Sequence, residues 1–397
     1  EVFFPASVRI TGTGVTDTCV EHIDIVGCPF FILVCYPVVS CQAGGIINIR
    51  KPEEILKFQY NVTKMPQDNL IEKRGFCGIF QEETMYLVNA LNVIDEVKKA
   101  VIGKDSCVEM VMMAILARGH ILIEDIPGVG KTTMALAFSR ACAMSQNRVQ
   151  FTPDVLPADI TGFSIYRKDT GKFEYQPGAV MCNLLLADEI NRTSPKTQSA
   201  LLEVMEEGNV TVDGITREVP KPFIVMATQN PIGSSGTQML PESQLDRFMI
   251  CISMGYPDIR NEIAILKDHR SGSPVDRISP VIQMNDLLTM QEEVDKIFIH
   301  DVIYNYIAEL IARTRQHPML ELGVSPRGTI ALAGMIKAAA YLAGRNYVVP
   351  NDVEKVFLAV NHHRIRLNSK ARANHVTAEG VLEEIFAGVA KPSPKKN

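Results

Sequence analysis

The stretch Ile123-Glu124-Asp125-Ile126-Pro127-Gly128-Val129-Gly130-Lys131-Thr132-Thr133 leaves this chain fewer choices of fold than any other part of it. The apolar run from His120 to Ile123 reads as a short strand, and the Ala-rich run from Thr132 to Met144 reads as a helix. A glycine-rich turn between a strand and a helix lets backbone N–H groups close around phosphates, and the helix N-terminus adds its positive dipole end. In such a loop Lys131 reaches the β- and γ-phosphates and the Thr132 hydroxyl ligates a divalent cation. The usual first glycine is Asp125 here, and an aspartate that tolerates left-handed backbone angles keeps the turn feasible.

Three further elements follow in a fixed order. Asn183 to Ala187 is an apolar strand ending in the carboxylates Asp188 and Glu189. At the carboxyl edge of a parallel sheet, Asp188 suits Mg²⁺ and Glu189 suits orienting and deprotonating a water. Phe223 to Ala227 is another apolar strand, and the segment Thr228-Gln229-Asn230-Pro231 after it offers Asn230 as a polar tip beside the carboxylates. Arg247, in Leu245-Asp246-Arg247-Phe248, and Arg327, at the start of a helix, are cations of the kind that stabilise phosphoryl transfer, within a subunit or from its neighbour.

The rest of the chain sets these parts in an alternating frame. Leu87, Leu91, Ile94, Val97 and Val101 recur at helical spacing, and Cys107 to Leu116 continues as a second helix. Hairpins are expected at 165–180, around Asp169-Thr170-Gly171, and at 209–219, around Asp213-Gly214. Strands alternating with helices predict an α/β fold with a parallel sheet covered on both faces. From about Ile282 the pattern is wholly helical, with starts at Ser325-Pro326 and Asn351-Asp352-Val353-Glu354 and a stop at Gly344. The expected organisation is an unassigned segment 1–88, a nucleotide-binding core 89–257, a linker 258–281, a helical lid 282–390 and a disordered tail 391–397.

The ordered blocks resemble the MoxR family of AAA+ ATPases over about residues 89–390. The phrases that carry the resemblance are Glu124 to Thr132, Gln150-Phe151-Thr152-Pro153-Asp154 with Asp159-Ile160-Thr161-Gly162, Leu186 to Arg192, Ala227 to Pro231, Gln244 to Phe248 and Ser325-Pro326-Arg327. The resemblance implies an ATPase that uses ATP and Mg²⁺. In it Asn230 is sensor 1, Arg247 a finger acting on the adjacent subunit's nucleotide, and Arg327 sensor 2 in the lid. Val101-Ile102-Gly103 would line the adenine, and Pro127, Gly128, Val129, Gly130, Lys131, Thr132 and Thr133 the phosphates. Both hairpins would face the pore of a ring, a hexamer, that remodels client proteins, often with von Willebrand factor A domain partners. The alternatives from the same sequence are a DNA-remodelling motor or a metal-chelatase motor subunit.

Composition trims these options. A formal net charge of -5 lacks the basic footprint of a nucleic-acid binder, so no nucleic acid partner is expected. Nine Cys without a C-x-x-C pair suggest a reduced, cytoplasmic compartment. Cys19, His22, Cys28, Cys35 and Cys41 match no zinc spacing. The uncharged run from Ile25 to Asn48 is broken by Pro29, Pro37 and Gly44-Gly45, so no stable membrane insertion is expected.

Overall fold

A computed structural model describes residues 7–10, 23–26, 78–125, 128–230, 240–268 and 273–392, with side chains from Tyr86 onward. The chain falls into two units, Glu1–Phe76 and Cys77–Asn397. In the first, β1 (Ser7–Ile10) pairs antiparallel with β2 (Ile23–Val26). Its cysteines and His22 lie outside the described residues, as do 393–397 of the expected tail. Helix α1 (Gly78–Lys98) starts before the boundary expected at residue 88, and α2 (Asp105–Leu116) follows it.

Five parallel strands organise the larger unit. They are β3 (Ile121–Glu124), β4 (Gln146–Gln150), β7 (Leu184–Asp188), β10 (Ile224–Gln229) and β11 (Ile250–Ile252), in the spatial order β11-β3-β10-β7-β4. The central three are apolar for most of their length because both faces are covered. Alternate side chains divide the core accordingly. Ile121, Ile123, Leu184, Leu186, Ile224 and Met226 join α1, α2 and α3 (Lys131–Ala141) on one face. Leu122, Leu185, Ala187, Val225, Ala227 and Cys251 join the helix Pro195–Glu207 on the other. The result is a three-layer αβα domain.

Between β4 and β7 the chain forms α4 (Pro157–Thr161) and the antiparallel hairpin β5 (Gly162–Arg167) with β6 (Lys172–Pro177). Helix α5 (Pro195–Glu207) is capped by Ser194 and ended by Gly208 at φ +66°. A second hairpin, β8 (Asn209–Val212) with β9 (Ile215–Glu218), turns through Asp213 and Gly214, both at positive φ. Helix α6 (Glu242–Leu245) leads into β11.

The expected linker 258–281 contains helix α7 (Ile259–Asp268) and a 3₁₀ turn at Pro274–Arg277. The lid that follows comprises α8 (Met284–Asp295), α9 (Asp301–Gln316), α10 (Pro326–Leu342), α11 (Pro350–Asn361), α12 (Ser369–Ala373) and α13 (Ala378–Gly388). A two-strand ladder of β12 (Leu320–Leu322) and β13 (Arg366–Leu367) interrupts the all-helical expectation. Ser325 caps α10, accepting from Gly328 N at 3.0 Å. At α11 the capping carboxylate is Asp352, which accepts from Val349 N at 2.8 Å, so the helix starts at Pro350 rather than behind Asn351. Among the described residues no helix is long and apolar enough to cross a membrane.

Candidate active site

Parallel register brings the carboxyl ends of three strands to one edge: Thr228 and Gln229 of β10 pair with Ile123 and Glu124, and Ala227 pairs with Ala187. Ligands of open α/β sheets sit at such edges. The loop from β3 to α3 crosses this edge with Gly128 at φ +86° and Gly130 at φ +96°. Gly130 is the N-cap of α3 and offers no capping side chain, so the first N–H groups of the helix stay available to an anion. A methyl on Gly128 would meet nothing within 4 Å. Pro127 lies outside the described residues, and Val129 packs against the core.

Asp125 corrects the expectation of a left-handed turn. The non-glycine residues at positive φ among those described are Arg118, Ala143, Glu189, Asp213 and His375. Instead the Asp125 carboxylate, nearly buried, accepts from Met254 N and Gly255 N at 2.6 Å each and from the Ser253 hydroxyl at 3.2 Å. Three donors on one oxygen explain an acid where a glycine is usual. Its carbonyl accepts from Lys131 Nζ at 2.7 Å. Burial pushes the Lys131 amine below the ordinary lysine value, and the carboxylates of Asp125, Asp188 and Glu189 oppose that shift.

The acidic pair is held separately. Asp188 ends β7, with Oδ1 accepting from the buried Thr228 hydroxyl at 2.6 Å and Oδ2 paired with Arg148 Nη2 at 2.7 Å. Glu189 adopts φ 55°, ψ 49°, a left-handed turn that reverses the chain after the strand. Its N–H donates to the Thr228 hydroxyl at 2.9 Å, and its Oε2 accepts from Gln150 Nε2 at 2.9 Å and Arg192 Nη1 at 2.7 Å. Thr228 therefore spans both acids. Gly128, Gly130, Lys131, Thr132, Thr133, Arg148, Asp188, Glu189 and Asn230 line one cavity of about 370 Å³. The hydroxyl of Thr132 and the carboxylate of Asp188 supply hard oxygen donors of the kind Mg²⁺ prefers, so the residues present fit that ion.

Two expected residues lie elsewhere. Arg247 Nη1 pairs with Glu206 Oε2 at 2.8 Å and donates to Leu202 O at 2.6 Å, and Arg327 pairs with Glu206 Oε1. Arg247 and Glu206 line a second cavity whose lining shares no residue with the first. Val101 is buried, Gly103 turns at φ +72° against Asn261, and neither they nor Ile102 line the first cavity. Arg148, Thr228, Gln150, Arg192 and Glu206 had no role assigned from sequence. Arg148 and Gln150 sit on the polar edge strand β4, which carries no apolar pattern. Thr228 stands inside a phrase already singled out, and only its hydrogen bond in the folded chain shows that it faces Asp188.

These features define a P-loop ATPase core of the AAA+ class with a helical lid. The family model described as "ATPase family associated with various cellular activities (AAA)" matches residues 120–250, and the "AAA lid domain" matches residues 312–385. The chain is 45% identical over 313 residues to the uncharacterized protein YeaC of Bacillus subtilis, covering 79% of this chain and 97% of that one. It is 39% identical over 308 residues to chaperone MoxR1 of Mycobacterium tuberculosis, covering 75% and 81%, and 30% identical over 298 residues to MoxR of Methylorubrum extorquens, covering 68% and 86%. A crystal structure of a protein from Cytophaga hutchinsonii assigned as an ATPase superposes with a TM-score of 0.75 at 35% identity, covering 79% of this chain and 98% of that one. The chain belongs to the MoxR family of AAA+ ATPases, binds nucleotide and hydrolyses ATP.

Proposed function

We propose that the chain works as a ring, a hexamer, in which each ATP is hydrolysed between two subunits and the cycle remodels or matures client proteins. The observation that carries this reading is the separation of the charges. Lys131, Asp188, Glu189 and Asn230 line one cavity, while Arg247 and Arg327 meet on Glu206 at another place on the same chain. A γ-phosphoryl group in transfer needs cations from more than one side. A neighbouring subunit is the natural source of the missing ones.

In this reading the N–H groups of the Gly128–Thr133 loop and Lys131 hold the phosphates, and Glu189 orients the attacking water and accepts its proton. Asn230 fixes the γ-phosphate, and Arg247 with Arg327 offsets the developing charge in the adjacent site. Thr132 and Asp188 would hold Mg²⁺, which withdraws charge from the phosphate oxygens. Val101, Ile102 and Gly103 would line the adenine. The exposed Phe163, Ile165, Tyr166 and Phe173 of the β5–β6 hairpin suit a pore that grips unfolded segments. Partners with von Willebrand factor A domains and a cytoplasmic setting complete the proposal.

Turnover against protein concentration tests it, for wild type and for Arg247→Ala mixed with Glu189→Gln. Each variant alone falls to a small residual turnover, and the mixture regains a larger fraction of the activity because some interfaces then combine an intact Glu189 with an intact Arg247. Turnover that is independent of concentration and not restored by mixing would refute the shared site.

A further inference from the structure

The 3₁₀ turn His362–Arg364 at the end of α11 sends one buried cation back to the core. The Arg364 side chain is 1% exposed. Its Nε donates to Asp246 Oδ1 at 2.9 Å, Nη2 to Asp246 O at 3.2 Å and to Phe248 O at 2.6 Å, and Nη1 to Met249 O at 3.1 Å and to Val360 O. Asp246 and Phe248 are the two chain neighbours of Arg247. A single guanidinium from the lid thus grips the backbone on both sides of that arginine. The other Asp246 oxygen accepts from the Ser325 hydroxyl at 2.8 Å, so the cap of α10 joins the same knot. Gly328 leaves the room: a methyl there would stand 2.6 Å from Arg364 Cδ.

Burial pushes the Arg364 guanidinium below its ordinary value, and the Asp246 carboxylate opposes this. Such a pair is a poor way to gain stability, since apolar replacements of buried ion pairs are often as stable. What it supplies is geometry, in a fork that lysine does not reproduce. The adjacent Cys251, His362 and His363 bring ligand-type atoms within 4.8 Å of one another. The guanidinium 2.9 Å from His363 Nε2 sets a fixed positive charge against that cluster, and no metal is assigned there.

We propose that Arg364 is a positioning residue for Arg247: it ties the segment carrying that arginine to the lid, so that lid movement and the aim of Arg247 change together. This rests on the reading of Arg247 as the cation supplied to the neighbouring site. Arg247 itself is held by Glu206 and Leu202 O, and its Nε finds no partner among the described residues. The backbone that Arg364 holds on either side sets where that side chain starts from.

The test is a double-variant cycle on steady-state turnover. Wild type, Arg364→Lys, Gly328→Ala, Arg247→Ala and the two doubles with Arg247→Ala are compared, with single-turnover measurements where rates are low. Gly328→Ala leaves every charge in place while its methyl crowds the Arg364 stem and the Val324 side chain alike. Arg364→Lys is expected to lower kcat about tenfold or more, with KM for ATP within about twofold, because small misplacements of a catalytic group act on the rate. Gly328→Ala should show the same split with a smaller loss. In the Arg247→Ala background neither substitution should lower kcat further. Equal losses with and without Arg247, or a rise in KM, would mean a general structural role and would overturn the proposal. Wild-type kcat in Arg247→Ala would remove the neighbouring-site reading and this proposal together. A loss in Arg247→Ala with none in the other two variants would remove this proposal alone. If Arg364→Lys does not fold by circular dichroism, Gly328→Ala decides the outcome.

Discussion

Replacing Asp125 tests the account of the phosphate loop more sharply than removing any glycine in it. The carboxylate is buried and accepts two backbone N–H bonds at 2.6 Å and a longer one from an exposed serine. Deleting it leaves the buried Met254 N–H unpaired, at about 1–3 kcal/mol, and the half-buried Gly255 N–H, which water can partly satisfy, at less. The serine hydroxyl turns to water and adds little. Asp125→Ala should therefore lose about 2–4 kcal/mol of unfolding free energy. Asp125→Asn keeps an acceptor oxygen but loses the charge, and charge-assisted bonds are roughly twice as strong as neutral ones, so about 1–2 kcal/mol is expected. The decisive variant is Asp125→Gly, which restores the usual residue of such loops. Because Asp125 is not at positive φ, glycine gains nothing from its freedom and should be as unstable as alanine, or slightly worse. Urea denaturation of the nucleotide-free protein reads the stability, and calorimetry with ATP reads the displaced anchor of Lys131. An Asp125→Gly variant as stable as wild type would show that the carboxylate is incidental and the reasoning wrong.

Three further outcomes follow from the same geometry. Thr228→Val keeps the shape of a fully buried side chain but removes both its bonds to the acidic pair; stability should fall by about 2–4 kcal/mol, and turnover should fall with it, by thermal melting and phosphate release. Gly130→Ala places a side chain at φ +96° and should cost about 1–2 kcal/mol while abolishing nucleotide binding, as calorimetry would report. His120 is buried, donates from Nε2 to Met205 O at 3.0 Å and accepts at Nδ1 from Val225 N at 3.0 Å, and burial pushes it down to about 4. The unfolded chain then binds the extra proton, so this contribution is fully present above about pH 6.5 and is lost as pH falls toward 4. Between pH 7 and 5 the loss should be about 2 kcal/mol by urea denaturation, and a His120→Gln variant should not show that part of the slope.

Legibility from sequence followed backbone demand. Gly128, Gly130 and Lys131 could be read because few backbones other than a phosphate loop need that spacing, and Asp188 and Glu189 because a fully apolar strand runs straight into them. The five-residue strand β4 escaped notice because it forms the sheet edge and keeps a polar sequence, and Arg148 went with it. The β11 strand is three residues long, too short to establish a period. The role of Asp125 is not local, since its partners come from a segment more than a hundred positions away. Glu206 resembles any solvated helix glutamate until the fold brings two arginines to it. Long-range pairings of this kind leave no mark on local pattern.

The left-handed turn at Glu189 has a practical side for anyone who would make this protein hardier. A non-glycine residue in that conformation carries a strain of about 1–2 kcal/mol. Glycine or asparagine at 189 would relieve it, and a search that ranks substitutions by thermal robustness alone would be drawn there. Either choice discards the carboxylate proposed to activate water. On that proposal, heat tolerance selected without an activity screen would favour a protein that still grips ATP but no longer consumes it, and position 189 should be held fixed in such a campaign.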